Sequence, residues 1–171
     1  MIYIWRSNNV DIKKMLEAQK ELDKANMEKG GLTEYPLDMV QAAYRVELGE
    51  LLQEWKQFKF WKLNKGEIDR EKMLEEWADC MHFALSLERY SECNNEAYHD
   101  YVIKHVEEHV KKYLYEEHDI YIVLKRCFID LTYALENTII LGIKLGYTLE
   151  ELEKAYWRKN KINWERIEGG Y

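Results

Sequence analysis

Glu47-Leu48-Gly49-Glu50-Leu51-Leu52-Gln53-Glu54-Trp55 and, further along, Glu76-Trp77-Ala78-Asp79-Cys80-Met81 are the two stretches from which the rest of the chain can be read. In each, two acids stand three residues apart, about 300° around a helix of 3.6 residues per turn, so they share a face. Glu54 returns to within roughly 20° of Glu47 by the same count. The positions around them are bulky and apolar: Leu48, Leu51, Leu52 and Trp55 in the first stretch, Trp77, Cys80, Met81 and Phe83 in the second. The acids therefore border a buried surface.

Four carboxylates converging without basic partners repel one another at a cost of several kcal/mol in a low-dielectric setting. Such crowding persists when a divalent ion compensates it, and oxygen-only ligands select hard cations, Mg²⁺ foremost where substrate phosphates complete the shell. Paired acids are also common on solvated helices, and with 32 acidic residues either pair alone favours that plainer reading. Both pairs together, each bordered by tryptophan and aliphatic residues, favour a metal site.

Outward from these stretches the rhythm is helical throughout. Asp11 caps a helix over 10–29 that ends at Gly30-Gly31, and a connector with the lone Pro36 follows. Asp38 opens a second helix predicted to run to about Trp61, and Lys62-Leu-Asn-Lys-Gly66 is the turn to a third over 69–90. That short turn predicts an antiparallel hairpin whose facing acids meet. Ser91–Asn95 reads as a break, 96–117 as a charged helix, and 119–145 as an apolar one long enough to contain a kink. Thr148-Leu-Glu-Glu151 is a capping box opening the last helix, which runs to about Ile167 before a loose tail. One proline and eight glycines in 171 residues leave few punctuated turns, and the length suits one domain, 1–171. The fold class is all-α, a helical bundle around a metal-binding antiparallel hairpin.

The net charge of −7 argues against a general nucleic-acid binder, since that affinity comes from lysine and arginine neutralising phosphates. No window reaches the length of a membrane span. Cys80, Cys93 and Cys127 are odd in number and lack metal spacing, so they read as free thiols of a cytoplasmic protein. His105-Val-Glu-Glu-His109 has the spacing of inverted zinc peptidases, but its charged surroundings and the small chain favour surface histidines. His82, three residues after Asp79, reads as a supporting or packing residue. On the last helix Tyr156, Lys159, Asn160, Asn163 and Arg166 recur on one broad face. Lysine and arginine there can hold phosphate oxygens and asparagine can read a base edge, while a solvated basic face is the plain alternative.

Glu47-x-x-Glu50, twenty-five intervening residues and Glu76-x-x-Asp79 resemble the signature of the all-α NTP pyrophosphatase superfamily, which includes MazG and the dimeric dUTPases. Leu16-Glu-Ala-Gln19-Lys-Glu-Leu-Asp23, Phe58-Lys59-Phe60-Trp61-Lys62 and the close from Tyr156 to Arg166 with Gly169-Gly-Tyr171 are similar to dimeric dUTPase segments in particular. About residues 88–145 match in character only.

The resemblance implies a dUTP diphosphatase that hydrolyses dUTP, and dUDP as well, releasing dUMP. It implies two or more Mg²⁺ ions held by Glu47, Glu50, Glu76 and Asp79, with Glu47 favoured over Glu50 as general base. Lys59, Lys62, Lys159 and Arg166 would neutralise the phosphates, Gln19, Trp61, Asn160 and Asn163 would hold uracil and deoxyribose, and Tyr156 would join them in binding substrate. Complementary amide bonds would separate uracil from cytosine, and lack of room for a methyl group would exclude thymine. Family members are dimers, which implies a homodimer here, with a nucleotide as the other partner. Alternatives are a broader MazG-like NTP or dCTP pyrophosphohydrolase and a non-catalytic helical interaction protein.

Overall fold

Asp11, Asp119 and Thr148 each close a helix N-terminus with a side-chain oxygen, accepting from the backbone amides of Lys14, Tyr121 and Glu151. These caps set the frame of the computed structural model, which describes residues 10–90, 96–115 and 119–170. The helices are α1 Ile12–Lys29, α2 Leu37–Trp55, α3 Arg70–Tyr90, α4 Glu96–Tyr115, α5 Ile120–Ile129, α6 Ala134–Lys144 and α7 Leu149–Glu168, with a 3-10 turn Leu131–Tyr133 before α6. No strand occurs among the described residues, so the all-α class holds. None of these helices is long and apolar enough to cross a membrane.

α3 is the central element. It packs against α2 most extensively and also meets α1, α6 and α7, while α4 lies on α6 and α5 on α6 and α2. Buried residues run along it from Met73 to Leu87. Trp77, 1% exposed, donates its indole N–H to the Thr138 carbonyl at 2.8 Å. Tyr44, fully buried on α2, shares a 2.8 Å hydrogen bond with the Thr138 hydroxyl, which itself donates to the Ala134 carbonyl at 2.7 Å. Tyr156 donates to the Met15 carbonyl at 3.1 Å and Tyr147 to that of Arg70 at 2.6 Å. Tyr44, Tyr147 and Tyr156 thus bury their rings and spend their hydroxyls joining helices, as buried amphipathic rings must.

Two boundaries differ from the sequence reading. α2 stops at Trp55 and not near Trp61, because Lys56 takes a left-handed conformation (φ 63°) and its N–H closes on the Leu52 carbonyl. Beyond it, turns bonded from Lys59 to Lys56 and from Lys62 to Lys59 replace the expected helix. Lys56 donates to the Glu67 carbonyl and Lys65 to that of Gln57, both at 2.8 Å, so the whole stretch 56–69 is the connection. The apolar span 119–145 is broken, as its length suggested: Asp130 ends α5 and accepts from the Thr132 amide. The expected break at 91–95 with Cys93, the last two residues of the charged helix and Tyr171 lie outside the described residues, whereas Cys80 and Cys127 are buried free thiols.

At Gly142 on α6, side chains of α3 and α7 press against the backbone. A Cβ there would stand 2.7 Å from the Trp77 indole nitrogen and 2.8 Å from the Leu152 methyls. Gly142→Ala should therefore displace Trp77 from Thr138 and cost about 1–3 kcal/mol, read as a lower urea midpoint at unchanged slope; unchanged stability would show that the three helices can part without loss.

Candidate active site

The α2–α3 seam carries the acids. Glu47 leans from α2 toward Glu76 and Asp79 on α3, and one carboxylate oxygen from each lies within 4.8 Å of the others. Glu50 is exposed one turn on and stands outside this tight group, yet its charge acts on all three. Burial, followed by the charges of Asp79, Glu50 and Glu76, pushes Glu47 up to about 7. Burial also raises Glu76 and Asp79. The ammonium of Lys159 on α7 pairs with the Asp79 carboxylate, and Arg166 pulls in the same direction. An all-oxygen donor set whose members resist ionisation together fits a hard divalent cation, which would take Glu47, Glu76 and Asp79 with Glu50 beside them.

A cavity of about 390 Å³ opens beside the acids between α1, α2, α3 and α7. Glu47, Asp79, Gln19, Asn163 and Arg166 line it, with Asp23, Tyr35, Val40, His82, Phe83 and Ser86. Its size suits one nucleoside moiety.

The amide of Gln19, 3% exposed, is fixed at both ends. Its nitrogen donates to Asp23 at 2.8 Å and to the Ser86 hydroxyl at 3.0 Å, and its oxygen lies 2.7 Å from His82 Nδ1. Because the Asp23 carboxylate accepts and Gln19 offers its oxygen to His82, the network places the His82 proton on Nδ1. Burial, then the charge of Lys159, holds His82 down to about 3, so the imidazole is neutral at neutral pH. Its ring stacks on Tyr156 of α7 at 4.5 Å. Asp23 accepts further from Ser86 at 2.8 Å and from Arg89 at 2.7 Å, and Tyr35 donates to the Ser86 carbonyl at 3.1 Å.

Of the residues expected at a site, the structure thus brings Gln19, Glu47, Asp79, Asn163 and Arg166 to the cavity, with Glu76 and Lys159 at its acidic end. Tyr156 is fully buried and meets the cavity only through His82, and Asn160 is buried outside the lining. Lys59, Trp61 and Lys62 do not line the cavity; they sit on the 56–69 connection, where Lys59 bonds Gln53 and Trp61 is 60% exposed against Phe58 and Phe60. Asp23, Ser86, Arg89 and Tyr35 escaped the sequence reading. The signal was present for three of them. Asp79, His82, Ser86 and Arg89 continue the acid face of α3 at helical spacing, and Asp23 follows Gln19 by four.

A search of curated proteins finds no match to the chain. A family model described as dUTPase matches residues 11–171, nearly its whole length. The bundle, the acid cluster and the adjoining nucleoside-sized cavity agree with that match, and the chain belongs to the dimeric all-α dUTPase family, as a dUTP diphosphatase.

Proposed function

We propose that the chain hydrolyses dUTP to dUMP and pyrophosphate, accepts dUDP as well, and depends on Mg²⁺ held by Glu47, Glu50, Glu76 and Asp79. The observation that carries this reading is the meeting of Glu47, Glu76 and Asp79 within 4.8 Å at the mouth of the cavity. Bound there, Mg²⁺ would neutralise the phosphate chain and lower the pKa of an attacking water. Glu47 takes that water's proton in preference to Glu50, since Glu47 lines the cavity and Glu50 faces solvent. Oxygen from water bonds to phosphorus as the anhydride bridge between the α- and β-phosphates breaks, and Lys159 and Arg166 offset the charge on the phosphate chain.

Base choice follows from hydrogen-bond arithmetic at Gln19. Both its N–H groups are committed to Asp23 and Ser86, and one lone pair of its oxygen to His82. It can therefore only accept from a base. Uracil presents a donor at N3, whereas cytosine presents an acceptor there, and two facing acceptors leave buried polar atoms unpaired. Phe83 and Val40 supply apolar wall for the ring, and Asn163 a polar edge.

A second copy of the chain completes the arrangement. Phe60 is 87% exposed, with Leu63 fully open and Trp61 more than half open beside it, which is costly for an isolated surface. The same 56–69 connection carries Lys59 and Lys62, which do not line the cavity of their own chain. A homodimer covers this apolar segment and brings those cations and Trp61 to the partner's nucleotide.

Three outcomes test the reading. Purified protein with Mg²⁺ should release pyrophosphate from dUTP far faster than from dCTP or dTTP, and Glu47→Gln should lower kcat by about 10²–10⁴-fold; equal turnover of all three nucleotides would overturn the base assignment. Gln19→Ala should cost about 1–3 kcal/mol in dUTP kcat/KM, roughly 5- to 150-fold, and narrow the preference over dCTP. In metal-free protein the raised Glu47 binds its proton more tightly folded than unfolded, so its contribution to stability falls as pH rises from about 4.5 through about 7. Without metal, Glu47→Gln should accordingly melt higher than the parent at pH 8 by about 2–6 °C, allowing for its contact with solvent, and the gain should vanish by about pH 4.

A further inference from the structure

We propose that His105, His109 and Glu136 form a second divalent-metal site, distinct in position and chemistry from the acid cluster and suited to a borderline transition ion such as Zn²⁺. His105 and His109 stand one turn apart on α4, and Glu136 comes from the first turn of α6. One ligand atom from each of the three lies within 4.8 Å of the others. Glu136 Oε1 is 3.1 Å from His105 Nδ1 and 3.9 Å from His109 Nδ1. Bonds of 2.0–2.2 Å in a tetrahedral zinc site space ligand atoms roughly 3.4 Å apart, so small side-chain rotations suffice.

The independent sign of a ligand is Glu136 itself. Only 3% exposed, it has its second carboxylate oxygen, Oε2, buried with no hydrogen-bond partner among the described residues. A buried carboxylate that is half unsatisfied is costly unless something cationic completes it. The imidazoles are also held in place: Tyr133 stacks on His105 at 6.0 Å and meets His109 edge-on at 5.1 Å, and Tyr101 stacks on His105 at 5.7 Å. Their side chains are 37% and 20% exposed, which leaves a path from solvent and a fourth position for water.

Two nitrogens and one oxygen are the donors of a His₂Glu zinc site, not of a magnesium site. The third ligand is not the Glu108 of the His-Val-Glu-Glu-His run but a residue that the fold brings from another helix. Lys112 and Arg126 act on His109 and oppose a cation, so the buried charge of Glu136 must carry the site. α4 and α6 contribute nothing to the acid cluster, and the inference stands whether or not the nucleotide reading does.

Full-length protein saturated with Mg²⁺ and titrated with Zn²⁺ in a calorimeter should bind about one Zn²⁺ per chain that Mg²⁺ does not displace. His105→Ala, at the exposed rim, should weaken that binding at least tenfold while leaving Mg²⁺-dependent dUTP hydrolysis as it was. Co²⁺ in place of Zn²⁺ on the unaltered protein should give the intense visible absorption of a four- or five-coordinate ion with nitrogen ligands, a readout that needs no variant. Zinc affinity unchanged in His105→Ala, no zinc uptake beside Mg²⁺, or only the weak spectrum of six-coordinate cobalt would each overturn the proposal.

Discussion

Three carboxylates in one pocket, only partly offset by Lys159 and Arg166, are the constraint around which the rest of the molecule is arranged. Each acid is held by a helix whose other face is core. Glu47 lies beside Leu48 and Leu51, and Glu76 and Asp79 flank Trp77 and Cys80. The backbone therefore cannot swing the charges apart without unpacking the α2–α3 seam, the most extensive in the bundle. Burial and, behind it, mutual repulsion raise their pKa values. α7 responds to the same charge. Its Lys159 reaches Asp79 while its Tyr156 backs His82, so the position of the last helix is tied to the electrostatics of the third.

The polar network beside the acids works by saturation. Asp23 receives Gln19, Ser86 and Arg89, and though burial raises its pKa, those three contacts pull it back toward the ionised form. The Arg89–Asp23 pair is 2.7 Å long with each side chain 13% exposed, a setting in which removing one partner costs more than the pair contributes. Its consequence is orientational. With Asp23 fixed as an acceptor, the Gln19 amide has one permitted orientation and His82 one tautomer, which gives the cavity a defined hydrogen-bond polarity without any ligand present.

Most of the helices were legible because their punctuation is local: Asp11, Asp119 and the Thr148-Glu151 box act within one turn. The acid pairs were legible because i, i+3 spacing survives any packing. What was lost was non-local. Phe58 and Trp61 keep a helical rhythm past Trp55, and no glycine or proline marks Lys56, whose left-handed turn is stabilised by side chains reaching 67 and 57 from across the connection. The exposure of Glu50 was equally hidden, since sharing a helix face fixes direction to within tens of degrees while a metal pocket selects within a few ångströms. His105 and His109 looked like surface residues because Glu136, the group that draws them inward, is remote in sequence and sits on an apolar helix.

The all-helical architecture also decides what kind of phosphate chemistry the site can do. Backbone amides bind phosphate where they point into a loop or out of a helix N-terminus, as in glycine-rich loops. Here the cavity is walled largely by the flanks of α1, α2, α3 and α7, whose interior N–H groups are spent on their own carbonyls. Gly49, the residue between the first pair of acids, lies within α2 and offers no such loop. Side chains must then do most of the recognition. Lysine and arginine alone would have to outnumber the acids to attract a triphosphate, and in this pocket the acids dominate. A divalent ion bound by these acids would resolve both demands at once: it would make the carboxylate crowding tolerable and turn a repulsive surface into one that polyphosphate can approach.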